Sequence, residues 1–197
     1  MNTLFLRHGQ SEANAGGWYA GHIDSPLTAL GRSAAEALRE QLVELAPVRV
    51  YSSDLRRASE TARLALGARA GMVEEAQALR ERFHGEWEGR IKAELSEDQA
   101  RLLKQWTGRP PGGGESLLDV GLRAARYLAA REREQAGRVL LVAHNGVLRT
   151  LVAAIDQALD GSHSLEGLAN TSLVARELPP GGWGTLVERL AERARSR

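Results

Sequence analysis

Cysteine is absent from the chain. That excludes disulfides, thiolate zinc sites, iron–sulfur clusters and every thiolate nucleophile, so covalent catalysis has to use another atom. A surplus of charge is missing as well: 26 Lys plus Arg stand against 25 Asp plus Glu, a formal net charge of +1. There is no global basic field for nucleic acid or an anionic membrane, and phosphate binding would have to come from a local cluster. Long apolar runs are also lacking. The first, residues 4–6, is broken by Arg7, far short of the roughly 7–15 apolar residues of a signal-peptide core or the ~20 of a membrane span. A cytoplasmic location is therefore expected, and Asn170-Thr171-Ser172, though it matches an N-glycosylation acceptor, is not read as a modification site. Nucleotide signatures fail too: Gly108 and Gly113 have Walker-A spacing, but Gly114 stands where a Lys is required. Neither His-Glu-x-x-His nor Gly-x-Ser-x-Gly occurs.

What is present is an ordinary globular composition, 43% hydrophobic and 26% charged over 197 residues, enough for one domain that folds without staples. Residues 3–6, 48–51 and 139–143 are short runs rich in β-formers, as expected for strands buried on both faces. Helical periodicity lies between them. Leu30, Ala34, Leu38, Leu42 and Leu45 predict one helix ending near Pro47, and further helices are expected over 55–67, from Leu117 to Leu128, and through Leu148, Leu151 and Ile155. This alternation predicts a three-layer α/β/α sandwich with a mostly parallel central sheet. Residues 173–178 read as a strand, and residues 183–190 fit either a returning strand or a helix.

Polar residues follow each apolar run: Arg7-His8-Gly9 after the first, Ser52-Ser53-Asp54-Leu55-Arg56-Arg57 after the second, His144-Asn145-Gly146 after the third. Ligands of open α/β sheets bind outside the carboxyl ends of the strands, so these segments can converge on one crevice. Two imidazoles and at least two guanidiniums would meet there, a set suited to a phosphoryl group. Taken singly, each has a plainer reading: a packed histidine, a solvated Arg56, turn-forming glycines, and Trp18, Trp87 and Trp106 as packing residues.

At these residues the chain resembles the histidine phosphatase superfamily in its phosphoglycerate-mutase-like branch. The resemblance is carried by Leu6-Arg7-His8-Gly9-Gln10-Ser11-Glu12-Ala13-Asn14, by the Asp24-Ser25-Pro26-Leu27-Thr28 and Ser52-to-Ala62 segments, and by Glu81-Arg82-Phe83-His84-Gly85. Pro111-Gly112-Gly113-Gly114-Glu115-Ser116 and Val142-Ala143-His144-Asn145-Gly146 complete it. It implies phosphoryl transfer through a phosphohistidine, with no metal and no cofactor. His8 would be the nucleophile. Arg7, Arg57 and His144 would hold the phosphoryl oxygens, and Glu81 would be the proton donor. Asn14 would add a phosphate contact, and Gly21, His84 and Asn145 would touch substrate. The implied partner is a small phosphorylated metabolite, with neither nucleic acid nor membrane.

The family contains hydrolases and mutases. The mutases carry a longer basic insertion after the Glu81 segment and read Gly-Asn after the second histidine, where this chain has Asn145-Gly146. A phosphomonoesterase is therefore favoured over a 2,3-bisphosphoglycerate-dependent mutase, and the joint presence of His8, Arg7, Arg57, Glu81 and His144 favours it over a non-catalytic phosphate-binding module. Loops around residues 18–22, 83–84 and 92–106 are expected to form the rim and lid.

Overall fold

A strand alternates its side chains between the two faces of a sheet, so it can be apolar at every position only where both faces are covered. In the computed structural model, which describes residues 2–132, 137–159 and 168–196, β1 (Asn2–Arg7) sends Leu4 and Leu6 into one core and Phe5 into another. β2 (Arg49–Ser53) divides Val50 from Tyr51 in the same way. β4 (Val139–Ala143) places Leu140 and Val142 on one side and Val139, Leu141 and Ala143 on the other. With β3 (Val73–Ala76) and β5 (Leu173–Glu177) these form a five-stranded sheet in the order β3-β2-β4-β1-β5. All neighbours are parallel except β5, which runs antiparallel to β1 at the edge.

Helices cover both faces, as expected of a three-layer sandwich. Over the first face, α3 (Arg39–Leu45) contributes Leu42, and α4 (Arg56–Leu66) contributes Ala62, Ala65 and Leu66. The second and larger core is built by α6 (Leu117–Ala129), α7 (Asn145–Ile155) and α8 (Gly182–Arg195). Each fully buried leucine, such as Leu128 or Leu151, is worth about 1.5–3 kcal/mol relative to leaving it exposed. Three further α-helices lie among the described residues: α1 (Glu12–Ala15), α2 (Ala29–Glu36) and α5 (Glu97–Lys104).

The structure departs from the periodicity in two places and decides between the two C-terminal readings in a third. The single helix expected to end near Pro47 is two, α2 and α3, interrupted at Ala37 and Leu38. Ala35 of α2 and Leu42 of α3 are both buried. At the C-terminus a helix forms, not a returning strand. Gly181 and Gly182 take positive φ of 83° and 57° to reverse the chain, and Trp183, Leu186 and Leu190 then fall on one helical face, all fully buried. The Trp183 ring meets Phe5 edge-on at 6.4 Å. Finally, β3 carries Glu74 and Glu75 in its middle, both exposed, so it lacks the apolar signature of the other parallel strands. It is an edge strand, and its carboxylates pair with Arg131 and Arg63.

No helix among the described residues is long and apolar enough to cross a membrane. For the site, the decisive feature of the fold is that β2, β4 and β1 lie side by side and in parallel. Their carboxyl ends therefore open on the same edge.

Candidate active site

Register brings the two histidines together. Arg7 of β1 sits opposite Ala143 of β4, and the amide of His8 donates to the Ala143 carbonyl at 3.0 Å. The imidazoles of His8 and His144, one residue beyond each strand, lie 5.0 Å apart between centroids. Their tautomers follow from what each touches. His8 Nδ1 is 2.7 Å from the Gly9 carbonyl, which can only accept, so Nδ1 carries the proton and Nε2 keeps its lone pair. At His144 the relation is reversed. Arg57 Nε, which can only donate, points at Nδ1 from 3.2 Å, so Nδ1 accepts and Nε2 is the protonated nitrogen. That His144 Nε2 is buried with no hydrogen-bond partner among the described residues.

Both rings are uncharged at neutral pH. Burial holds His8 well below the usual imidazole range, and the guanidiniums of Arg57 and Arg7 push it the same way. Burial and the Arg57 charge also depress His144, with His8 adding to the effect.

Arg57 stands in the first turn of α4, directly after β2, and is only 2% exposed. Its terminal nitrogens donate to the carbonyls of Gly21, at 2.7 Å, and Ile23, at 3.0 Å. Thr61, one turn further on, donates to the Arg57 carbonyl at 2.6 Å and accepts from the Gly9 amide at 2.9 Å. Thr61 thus ties the His8–Gly9 turn to the start of α4. Arg7 donates to the Leu168 carbonyl. Desolvation lowers the pKa of both arginines below the usual guanidinium range, yet guanidinium stays charged in proteins.

Glu81 arrives from the loop after β3. Its carboxylate accepts from the Arg82 amide at 2.8 Å and from the Gly146 amide at 3.1 and 3.2 Å through its two oxygens. Gly146 is in the first turn of α7, where amides have no partner within the helix. The carboxylate is therefore seated on a helix amino end. His22 Nε2, at 2.9 Å, and Arg123 Nη2, also at 2.9 Å, donate to the Glu81 carbonyl and fix its backbone. A Cβ at position 146 would lie 2.4 Å from Glu81 Oε1. Gly146→Ala is therefore expected to leave the fold intact, because a flexible side-chain end can yield, while displacing this carboxylate. A displacement near 1 Å costs on the order of 10²-fold in rate, to be read as kcat against an unchanged melting temperature.

These groups surround a cavity of about 270 Å³. Of the residues singled out in the sequence, Arg7, His8, Asn14, Gly21, Arg57, Glu81, His84 and Asn145 line it, while His144 is fully buried beside His8. Asn145 is the first residue of α7 rather than its cap, which is His144, so it faces the cavity instead of closing the helix. His84 packs on Tyr19 with ring centroids 4.9 Å apart, and burial lowers its pKa to about 4. The expected rim also meets here, through Tyr19, Lys92, Ala100 and Lys104. Trp87 and Trp106 are buried packing residues, but Trp18 lines the cavity.

Sequence reasoning missed three contributors. Arg82 donates to the carbonyls of Leu103, Gly108 and Glu115, tying those segments to the Glu81 loop; nothing in a Glu-Arg pair signals this. Arg149 lines the cavity one turn into α7, where the apolar periodicity drew attention instead. Asn170 lies 162 positions from His8 and donates to its carbonyl at 2.9 Å.

Fold and site together define an α/β protein of phosphoglycerate-mutase-like architecture, with an anion-binding cavity built around paired imidazoles. The chain belongs to the histidine phosphatase superfamily (branch 1), whose family model matches residues 3–189. It is 38% identical over 165 residues to a glucosyl-3-phosphoglycerate phosphatase of Mycobacterium tuberculosis, covering 77% of this chain and 74% of that one. It is 34% identical over 160 residues to an adenosylcobalamin/alpha-ribazole phosphatase of Escherichia coli, covering 79% of each. A 2,3-bisphosphoglycerate-dependent phosphoglycerate mutase 2 of Gloeobacter violaceus is 39% identical over 165 residues, with 78% and 74% covered. Among solved structures, a mycobacterial glucosyl-3-phosphoglycerate phosphatase in complex with VO3 superimposes with a TM-score of 0.76 at 34% identity, covering 88% of this chain and 91% of the other.

Proposed function

We propose that this chain is a cytoplasmic, metal-independent phosphomonoesterase that acts on a small phosphorylated metabolite through a phosphohistidine at His8. The observation that carries the reading is the opposed tautomers of the two histidines: a lone pair on His8 Nε2 beside an unpartnered N–H on His144 Nε2. In this reading His8 Nε2 attacks phosphorus as the bond to the leaving oxygen breaks. The charge on the phosphoryl oxygens is met by Arg7, Arg57 and the His144 N–H, groups already in place and largely desolvated. Asn14 donates to the same oxygens. Glu81 gives its proton to the departing alkoxide, then takes one from the water that attacks phospho-His8, and phosphate leaves with the site restored. Every role is filled by a protein side chain.

The test is phosphate release from a panel of phosphomonoesters in the presence of a chelator. The panel includes 3-phosphoglycerate with and without catalytic 2,3-bisphosphoglycerate, and 2-phosphoglycerate formation is followed in parallel. Release without isomerisation is expected. Bisphosphate-dependent isomerisation without net release would make the chain a mutase, and loss of activity in chelator would overturn metal independence. Phosphate binding with no turnover on any member would favour the binding module.

A further inference from the structure

Asn170 precedes β5 in the tripeptide that matched a glycosylation acceptor, and it does not line the cavity. Its side chain is nevertheless committed to the site. Nδ2 donates to the His8 carbonyl at 2.9 Å and to Asn14 Oδ1 at 3.1 Å. Both targets can only accept, so the amide orientation of Asn170 is fixed by its neighbours.

Asn14 Oδ1 also accepts from the Ser11 amide and the Ser11 hydroxyl, each at 3.2 Å. Three donors more than fill the two lone pairs of a carboxamide oxygen. The oxygen is thus held away from the reacting centre, and the amino group of Asn14, a residue that lines the cavity, is the end left for an anionic ligand. The two donors of Asn170 are not equally important. The His8 carbonyl also receives the Thr171 amide at 3.3 Å, so that carbonyl keeps a donor when Asn170 is changed. Without Asn170, Asn14 Oδ1 keeps only the two Ser11 donors, both from the cap of its own helix.

We infer that Asn170 is a positioning residue that, together with Ser11, holds the amide orientation of Asn14, presenting its N–H donors and not its oxygen to the phosphoryl group. The inference rests on the phosphatase reading for Asn14's role. It also makes the tripeptide part of the site's framework, since Thr171, at φ 58°, uses the same turn to donate to the carbonyls of Arg7 and His8.

Asn170→Asp tests this most sharply. It is isosteric but turns the donor into an acceptor, which would draw the Asn14 amino group toward residue 170 and leave its oxygen facing the anion. Affinity for inorganic phosphate, measured by calorimetry, and kcat/KM should both fall by about 10-fold or more. Asn170→Ala, which only removes the donor, should cost about 5-fold and serves if the aspartate variant folds poorly. In an Asn14→Ala background, either change should cost less than about twofold further. A merely structural role would not produce that non-additivity. Wild-type phosphate affinity in Asn170→Asp, or a full additional loss in the Asn14→Ala background, would overturn the inference. If the unaltered chain binds phosphate but hydrolyses no ester, the phosphatase reading fails while the affinity cycle still tests Asn170. If it binds no phosphate, both fall.

Discussion

His8→Ala is expected to abolish turnover and, with it, the incorporation of acid-labile phosphate into the protein. Covalent phosphoryl transfer needs a nucleophile with a free lone pair, and the Gly9 carbonyl leaves that pair on His8 Nε2 by holding the proton at Nδ1. Desolvation and the Arg57 charge keep the ring from protonating in the neutral range, so the Nε2 lone pair is free there. The alanine variant loses the attacking atom but keeps Arg7, Arg57 and His144. It should still bind inorganic phosphate, and loss of rate without loss of binding separates the nucleophile from the anion cradle. The measurement is single-turnover quench with radiolabelled substrate, alongside calorimetric phosphate binding. A fully active His8→Ala protein would remove the phosphohistidine route altogether.

Glu81→Gln should reveal itself through the leaving group. If Glu81 supplies the proton to the departing oxygen, an alkyl phosphate, whose alkoxide is a poor leaving group, should lose on the order of 10²–10⁴-fold. A nitrophenyl ester should lose far less in the phosphorylation step, because its phenolate leaves without help. The substitution is a mild one for the fold. Glutamine keeps an oxygen to accept from the Arg82 and Gly146 amides, so the loop and the start of α7 retain their ties. Equal losses on the two substrates would assign Glu81 to positioning and not to proton transfer. Together with Gly146→Ala, the series distinguishes removing the proton from moving the carboxylate.

The reversed dipeptide Asn145-Gly146 also acquires a physical meaning. In the sequence it is only a departure from the mutase order. In the structure the glycine occupies the position where any side chain would meet Glu81, and its amide holds that carboxylate. Asparagine is displaced one residue back and faces the cavity.

By itself the sequence pointed to the strands buried on both faces, because an apolar run as short and as rich in β-formers as Val139–Ala143 fits a doubly covered strand better than a helix. It also showed that polar residues cluster where those strands end, so that His8, Arg57 and His144 could converge on one edge of a parallel sheet. Those are local properties, carried by residues adjacent in the chain. The edge strand β3 and the C-terminal helix were less legible. The exposed glutamates of β3 hide its pairing, and the Trp183, Leu186 and Leu190 pattern becomes a helix only when a helix is needed to cover Phe5 and α6. Tertiary structure alone decided the tautomers of the two histidines, the seat of Glu81 on α7 and the part played by Asn170. Each depends on a hydrogen bond between residues 65 to 162 positions apart or on the direction of a single carbonyl. A sequence records which donors and acceptors exist; only the folded chain decides which of them meet.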